Sequence, residues 1–452
     1  MKKYDAVIIG FGKGGKTLAG DMAGRGFKVA VIEKSDKMYG GTCINVGCIP
    51  TKYLILEAGK NKSRKLNSFD EYAEEYKNII ENKNNLISGF RKKNFDMLND
   101  KENIDVYTGE GSFVNEKAIE IKTKDETIQI EGEKIFINTG AVTFFPPIKG
   151  LKESGFVYDS EKIMELKELP RELVIIGGGY IGLEYAGMYS NFGSKVTVLE
   201  GSPLLMPRED REMADTVQKT MEGKGIVFKL GAKVTEIIDN KVVYEKDGVV
   251  ETVTGDAVLV AVGRRPNVSG LKLENAGVKL TERGAVEVNE KLQTSQENIW
   301  AMGDVHGGLQ FTYTSLDDYR IVRSQLFGDG SYTLNERKPV PYTVFLEPHF
   351  SRVGMTEEEA VKNGYKVKTA KMTPATPRMK ISDDTEGLLK AVVDAETGKI
   401  LGASLFFAQS GEVINSIALA IAADKDYTFL RDNIFTHPTM SEILNDLFGL
   451  IK

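Results

Sequence analysis

The chain has 452 residues, 41% of them hydrophobic and 27% charged, which fits a globular protein of about two to four domains and excludes a disordered or fibrous one. A formal net charge of −6 gives no electrostatic reason to bind nucleic acid or an anionic membrane. No apolar run approaches the ~20 residues that span a bilayer, and an apolar strand starts directly after Met1-Lys2-Lys3, so no signal peptide is expected.

The segment Tyr4 to Glu33 reads strand, glycine-rich turn, helix, strand. Ala6-Val7-Ile8-Ile9 is the first strand, Gly10-Phe11-Gly12-Lys13-Gly14-Gly15 supplies G-x-G-x-x-G, a helix follows from Lys16 to Gly24, and Val29 to Ile32 leads to Glu33. Gly10 permits the tight turn, Gly12 lets backbone approach a pyrophosphate and Gly15 permits close helix packing, while Glu33 is placed to accept hydrogen bonds from a ribose. Next comes Gly40-Gly41-Thr42-Cys43-Ile44-Asn45-Val46-Gly47-Cys48-Ile49-Pro50-Thr51-Lys52, which holds the only two cysteines, five positions apart. Such thiols close a disulfide with little loop, and a helix opening at Pro50 and Thr51 favours the thiolate. A structural disulfide more usually staples distant segments, and two cysteines in so long a chain fit a reducing cytoplasm. The pair reads as a redox centre.

Phe69 to Leu98 is polar with Tyr72, Tyr76, Ile79, Ile80, Leu86, Ile87 and Phe90 at helical spacing, which predicts a long surface helix with room for one break and its charges in solvent. Short strands return through Ile135-Phe136-Ile137 to Thr139-Gly140, and Pro146-Pro147 marks a linker. The dinucleotide pattern then repeats: Leu173 to Ile176, Gly177-Gly178-Gly179-Tyr180-Ile181-Gly182, a helix through Leu183 to Ala186, and Val196 to Leu199 before Glu200. Gly10 to Glu33 and Gly177 to Glu200 are both 23 positions. One such motif is weak evidence; two, each between strand and helix with an acid at one offset, imply two bound dinucleotides. A carboxylate at Glu200 suits the 2′-hydroxyl of NADH and repels the 2′-phosphate of NADPH, although Arg208 farther along leaves NADPH possible. This unit closes near Val258 to Pro266, and Asn298-Ile299-Trp300-Ala301-Met302-Gly303-Asp304 follows. From Pro339 the pattern is mixed α/β, with strands at Tyr342 to Phe345, Leu388 to Val393 and Ile400 to Ala403 and a helix over Ser416 to Ala423. Of the three histidines, only His437, in His437-Pro438-Thr439-Met440-Ser441-Glu442, has an informative context; His306 and His349 read as structural, and no metal site is expected.

The cysteine fragment, the two glycine motifs, the Asp304 segment and the His437 segment together resemble the FAD-dependent pyridine nucleotide-disulfide oxidoreductases, over almost the whole chain. The resemblance implies an α/β fold like that of glutathione reductase, with two Rossmann-like dinucleotide-binding domains, for FAD and NAD(P), and a C-terminal α+β dimerisation domain. The corresponding divisions are 1–148 and 266–338 for FAD, 149–265 for NAD(P) and 339–452 for the interface. It places Gly10, Gly12, Gly15, Glu33, Lys34, Gly41, Thr42, Lys52, Thr139, Gly140 and Asp304 on FAD, and Gly177, Gly179, Tyr180, Gly182, Glu200 and Gly263 on NAD(P). Tyr180 would cover the flavin until nicotinamide enters, and Lys52 would lie near flavin N5, paired with Glu184. Cys48 would be the thiol next to the flavin and Cys43 the one that meets the acceptor. His437, oriented by Glu442, would reach that thiol from the other subunit of a cytoplasmic homodimer and carry its proton.

The acceptor divides this family. Mercuric reductase and the large thioredoxin reductases carry additional cysteine pairs that this chain lacks, and glutathione reductase usually prefers NADPH. Dihydrolipoamide dehydrogenase typically has a second histidine where Phe435 stands. Gly10-Phe11-Gly12-Lys13 with Lys16-Thr17-Leu18-Ala19, and Gln310 to Arg320, resemble the RclA-type flavoproteins of reactive-chlorine defence, which implies NAD(P)H-dependent reduction of Cu(II) to Cu(I). A dihydrolipoamide or other disulfide reductase is the alternative, and a flavin-bearing redox sensor is the alternative of another class.

Overall fold

The computed structural model describes residues 1–64, 66 and 68–452. Strand β1 (Lys2–Ile9), helix α1 (Lys13–Gly24) and strand β2 (Val29–Glu33) form the first βαβ unit. Helices α2 (Gly41–Asn45) and α3 (Cys48–Ser63) carry the cysteines, and α4 runs unbroken over Phe69–Asn99. Strands β3 (Ile104–Thr108), β4 (Glu110–Phe113), β5 (Ala118–Lys122) and β6 (Thr127–Ile137) complete the first sheet in the order β3-β2-β1-β6-β5-β4. Strands β3, β2, β1 and β6 run parallel, whereas β4 and β5 join antiparallel. Ala6, Val7, Ile8 and all of β2 are buried, so these strands read as continuous apolar runs, as parallel strands covered on both faces must.

The second unit repeats this with β7 (Glu172–Ile176), α5 (Tyr180–Asn191), β8 (Lys195–Glu200), β9 (Val227–Leu230) and β10 (Ala257–Val260), in a five-stranded parallel sheet completed by Val157–Tyr158. Its register is that of the first: Ile9 faces Ile32, and Ile176 faces Leu199. The strands that lead into and out of this unit, Ala141–Thr143 and Arg264–Pro266, pair antiparallel with Thr143 opposite Arg264. After it, β11 (Ile299–Ala301) returns to the first sheet beside β6, and α6 (Thr312–Phe327) packs on α1. The C-terminal part is a five-stranded antiparallel sheet of β12 (Tyr342–Val344), β13 (Phe350–Gly354), β14 (Val367–Met372), β15 (Leu388–Asp394) and β16 (Ile400–Phe406), with helices α7 (Ser410–Ala422) and α8 (Ile443–Gly449) against it.

Three details depart from the pattern reading. α3 starts at Cys48, not Pro50, because a proline is tolerated inside a first helical turn whose N–H groups are unpaired anyway. α4 needs no break: Tyr76, Ile79, Ile80 and Ile87 are buried, while Leu86 and Phe90 lie partly exposed. One α4 charge is not in solvent, since Lys83 is buried and donates to the Met164 carbonyl at 2.7 Å and to Glu165 at 3.1 Å.

Candidate active site

Gly10 adopts φ +104° and Gly177 φ +108°. A Cβ on Gly10 would sit 2.3 Å from the Asn138 carbonyl oxygen, and one on Gly177 would sit 2.6 Å from that of Ala261. Only glycine fits either turn. At the far end of each unit the acid folds back on the same loop. Glu33 accepts from the Phe11 N–H at 3.1 Å and the Ser35 N–H at 3.3 Å. Glu200 accepts from Gly178 at 2.6 Å and Ser202 at 2.7 Å. Both carboxylates thus end a strand beside the glycine turn, the position from which an acid meets a ribose in dinucleotide-binding βαβ units. Burial raises the Glu33 carboxyl to about 7.

Neither N-cap, Gly12 of α1 or Gly179 of α5, has a side chain to cap its helix, although Ser315 and Asn138 take the Gly14 and Gly15 N–H groups in α1. A Cβ on Gly179 or Gly263 would meet nothing within 4 Å, and one on Gly140 would meet only Thr42 Oγ1, at 4.0 Å. Gly15 and Gly182 lie tight against Asn138 and the Gly177 carbonyl respectively, so they serve packing. Gly41, at φ +78°, brings the cysteine segment onto the first glycine loop: its Cβ would lie 2.8 Å from Gly12 Cα. Thr139 donates to the Asn267 carbonyl at 2.7 Å, and Lys34 is exposed after Glu33. Asp304 follows β11 in a short 3-10 turn over Gly303–His306, and burial raises its carboxyl.

The cysteines stand as two thiols, Cys43 half-buried in α2 and Cys48 exposed at the first position of α3. Their hydrogen bond makes them unequal. It does most to hold the Cys48 thiol down, to about 6, against the opposing effect of burial; the Thr312 hydroxyl and the Lys52 ammonium add to it. Thr312 Oγ1 lies 3.6 Å from Cys48 Sγ. The same bond, then burial, pushes the Cys43 thiol up. One thiolate is shared by the pair and resides on Cys48. Lys52 donates to Glu184 Oε2 at 2.6 Å, and Glu184 Oε1 accepts the Phe345 N–H at 2.9 Å, so α3, α5 and the segment after β12 fix the cation. Lys16, whose charge acts on Cys43, is buried, donates to Asn94 and is lowered to about 8, chiefly by burial.

His437 stands apart, on an exposed face near Ile434, which is 96% exposed. Its Nδ1 lies 2.7 Å from Glu442 Oε1, and Glu442 Oε2 accepts the Thr439 N–H at 2.7 Å. His437 and Thr439 hold the Glu442 carboxyl below its ordinary range. A ring that donates Nδ1–H to a carboxylate presents Nε2 for proton exchange. His306 contacts buried Asp318 at 3.1 Å, and His349 packs edge-on against Phe345. Among the described residues no cluster of His, Cys, Asp and Glu has metal-ligating geometry, and no helix is long and apolar enough to cross a membrane. Pattern reading missed Thr312, Asn138, Ser315 and Glu209. Asn138 and Ser315 accept from Gly15 and Gly14 at the start of α1, and Glu209 sits beside Tyr180.

Residues 4–318 match the pyridine nucleotide-disulphide oxidoreductase family and residues 340–448 match the dimerisation domain of the same family. The chain belongs to this family and is an oxidoreductase, and membership implies FAD and NAD(P)H as cofactors. Within it, the chain is 48% identical to the probable pyridine nucleotide-disulfide oxidoreductase RclA of Escherichia coli, with 100% of both chains covered. The Cu(II) complex of that HOCl-induced flavoprotein disulfide reductase superimposes with a TM-score of 0.94 over 100% of both chains at 48% identity. Mercuric reductase of Staphylococcus aureus is 33% identical, covering 97% of this chain and 81% of the relative. Dihydrolipoyl dehydrogenase of Bacillus subtilis is 32% identical, covering 98% and 97%.

Proposed function

We propose that the protein is an NADH-dependent reductase that charges the Cys43–Cys48 pair with two electrons and discharges them onto Cu(II), yielding Cu(I). The observation that carries this reading is the unequal thiol pair, with an accessible thiolate at Cys48 beside Lys52 and Thr312. FAD, when bound, supplies the two-electron exchange between nicotinamide and that pair. Glu200 presents a carboxylate where the adenosine ribose of NADH would lie, which favours a 2′-hydroxyl over a 2′-phosphate. The charge balance follows from the thiol–thiolate state of the pair: the Cys48 thiolate and the Cys43 thiol lose two electrons and one proton to become a disulfide, and two Cu(II) become two Cu(I). The hydride equivalent from NADH restores one thiolate and one thiol. Soft thiolate sulfur favours Cu(I) over Cu(II), and the E. coli relative has been crystallised with Cu(II).

His437 is supplied to this pair by a second copy of the chain. Its exposure, the dimerisation-domain match and the exposed Ile434 and Leu419 support that arrangement. Cys43, the thiol that keeps its proton, gives it to His437 Nε2 as the acceptor is reduced, and Glu442 steadies the imidazolium. The test is anaerobic NADH oxidation with Cu(II) as sole acceptor and a chromogenic Cu(I) chelator. Rapid turnover that disappears in Cys43→Ser supports the reading. No turnover, in protein that NADH still reduces, rejects Cu(II). A disulfide acceptor such as lipoamide is the second reading, favoured by the full-length likeness to dihydrolipoyl dehydrogenase.

A further inference from the structure

Tyr180 opens α5 at the phosphate end of the second unit, yet its phenol is tied down. Its hydroxyl donates to Glu209 Oε1 and lies 3.5 Å from the Tyr342 hydroxyl, which donates to the same oxygen at 2.6 Å. The two rings stack with centroids 5.7 Å apart and planes 27° apart. Glu209 Oε2 lies 3.3 Å from Arg352 Nη1. Arg352 in turn donates to the Arg208 carbonyl at 3.0 Å and to Glu359. The Glu209 side chain has no exposed surface.

A carboxylate so buried persists only because its oxygens are filled, two phenols on one and a guanidinium by the other. Such charge-assisted bonds are the strong ones. The anchor is also rigid. Arg352 and Tyr342 belong to the C-terminal sheet, so Tyr180 is fastened across two parts of the molecule. We propose that Glu209 is a latch for Tyr180: a positioning residue that holds the ring where nicotinamide must enter, so that the dinucleotide binds by breaking the Tyr180–Glu209 bond. This rests on the reading of the second unit as the nicotinamide-nucleotide site. A latched population lowers apparent affinity by the fraction of molecules that are unlatched. Removing the bond therefore tightens binding, the opposite of what structural damage does.

The experiment titrates the FAD-loaded protein with NAD+ by calorimetry and, separately, measures iodide quenching of flavin fluorescence. Tyr180→Phe keeps the ring and loses the bond; it should bind NAD+ about tenfold tighter, the effect of one hydrogen bond to a charged group, and expose the flavin to iodide. Glu209→Gln should move both readouts in the same direction, and the double variant should add nothing to Tyr180→Phe. If Glu209→Gln does not fold, the two readouts of Tyr180→Phe decide alone, with Tyr342→Phe as the control that leaves the Tyr180–Glu209 bond in place and should not tighten NAD+ binding. Unchanged or weaker NAD+ binding in Tyr180→Phe, or additive effects in the double variant, overturns the latch. A wild type that binds no NAD+ overturns the nucleotide reading itself, and the latch with it.

Discussion

Where α1 begins, the N–H groups of Gly14 and Gly15 are already taken, by Ser315 Oγ at 3.1 Å and Asn138 Oδ1 at 2.9 Å. Where α5 begins, Gly179 faces open space and the first side chain, Tyr180, is tied to a distant carboxylate. The two units share turn geometry, register and acid. They differ in what the rest of the chain does to them. The first is enclosed by the cysteine segment, by Asn138 at the end of β6 and by α6. The second keeps an open mouth with a tethered ring. On the reading proposed above, one motif placed in two neighbourhoods serves a nucleotide that stays and a nucleotide that exchanges.

The comparison breaks most visibly at the two first glycines. Gly10→Ala forces a side chain into the left-handed region, at about 1–2 kcal/mol, and against a carbonyl 2.3 Å away. We expect protein purified without flavin, read from the loss of its visible flavin absorbance. Gly177→Ala meets a similar collision at 2.6 Å, yet it should keep its flavin and lose reduction by NADH while dithionite still reduces it. Flavin loss in both variants would erase the distinction between the units. A smaller effect is expected at Glu200, whose carboxylate is held at the glycine turn of the second unit: Glu200→Gln should raise the KM for NADH about tenfold and narrow the margin over NADPH, in steady-state assays with each. The smallest effect is a pH midpoint. Cys48 is an acid whose folded value lies below its ordinary one, so its thiolate is present above about pH 6 and lost below it. Alkylation of the reduced protein by iodoacetamide should rise with a midpoint near 6, whereas a midpoint near the ordinary 9.0 would show that Cys43 and Lys52 do not share the charge.

Much of this was legible because it is local. A βαβ unit writes its strand, turn and acid within about 25 residues, and the cysteine fragment is shorter still. The parts that escaped join distant pieces of chain. Asn138 reaches Gly15 across 123 positions and Ser315 reaches Gly14 across 301. Thr312 touches Cys48 across 264. Such partners leave no spacing to read, and an Asn or Ser at a strand or helix end has many bland uses. The start of α3 was misplaced for a different reason. Pro50 marks a first turn without saying which of its positions it takes, and the cost of the error was chemical, because it is Cys48 that sits at the helix N-terminus. The burial of Lys83 was illegible too: its partners lie on the Met164–Glu165 turn, which only the folded chain brings beneath α4.

The paired strands Ala141–Thr143 and Arg264–Pro266 put the doorway and the exit of the second βαβ unit side by side. A segment whose two ends meet can be spliced out or exchanged without moving its host, since a turn of a few residues closes the same gap. The protein is built like a socket carrying a cartridge: the flavin-side sheet is laid down by β1 to β6 and finished by β11, and the inserted unit occupies the interval without sharing a strand with it. A grafted unit with another nucleotide preference would have to keep a carboxylate at Glu184, because that residue of α5 holds the Lys52 ammonium that acts on Cys48; with it kept, electron donor and electron acceptor become separately variable properties of one chain.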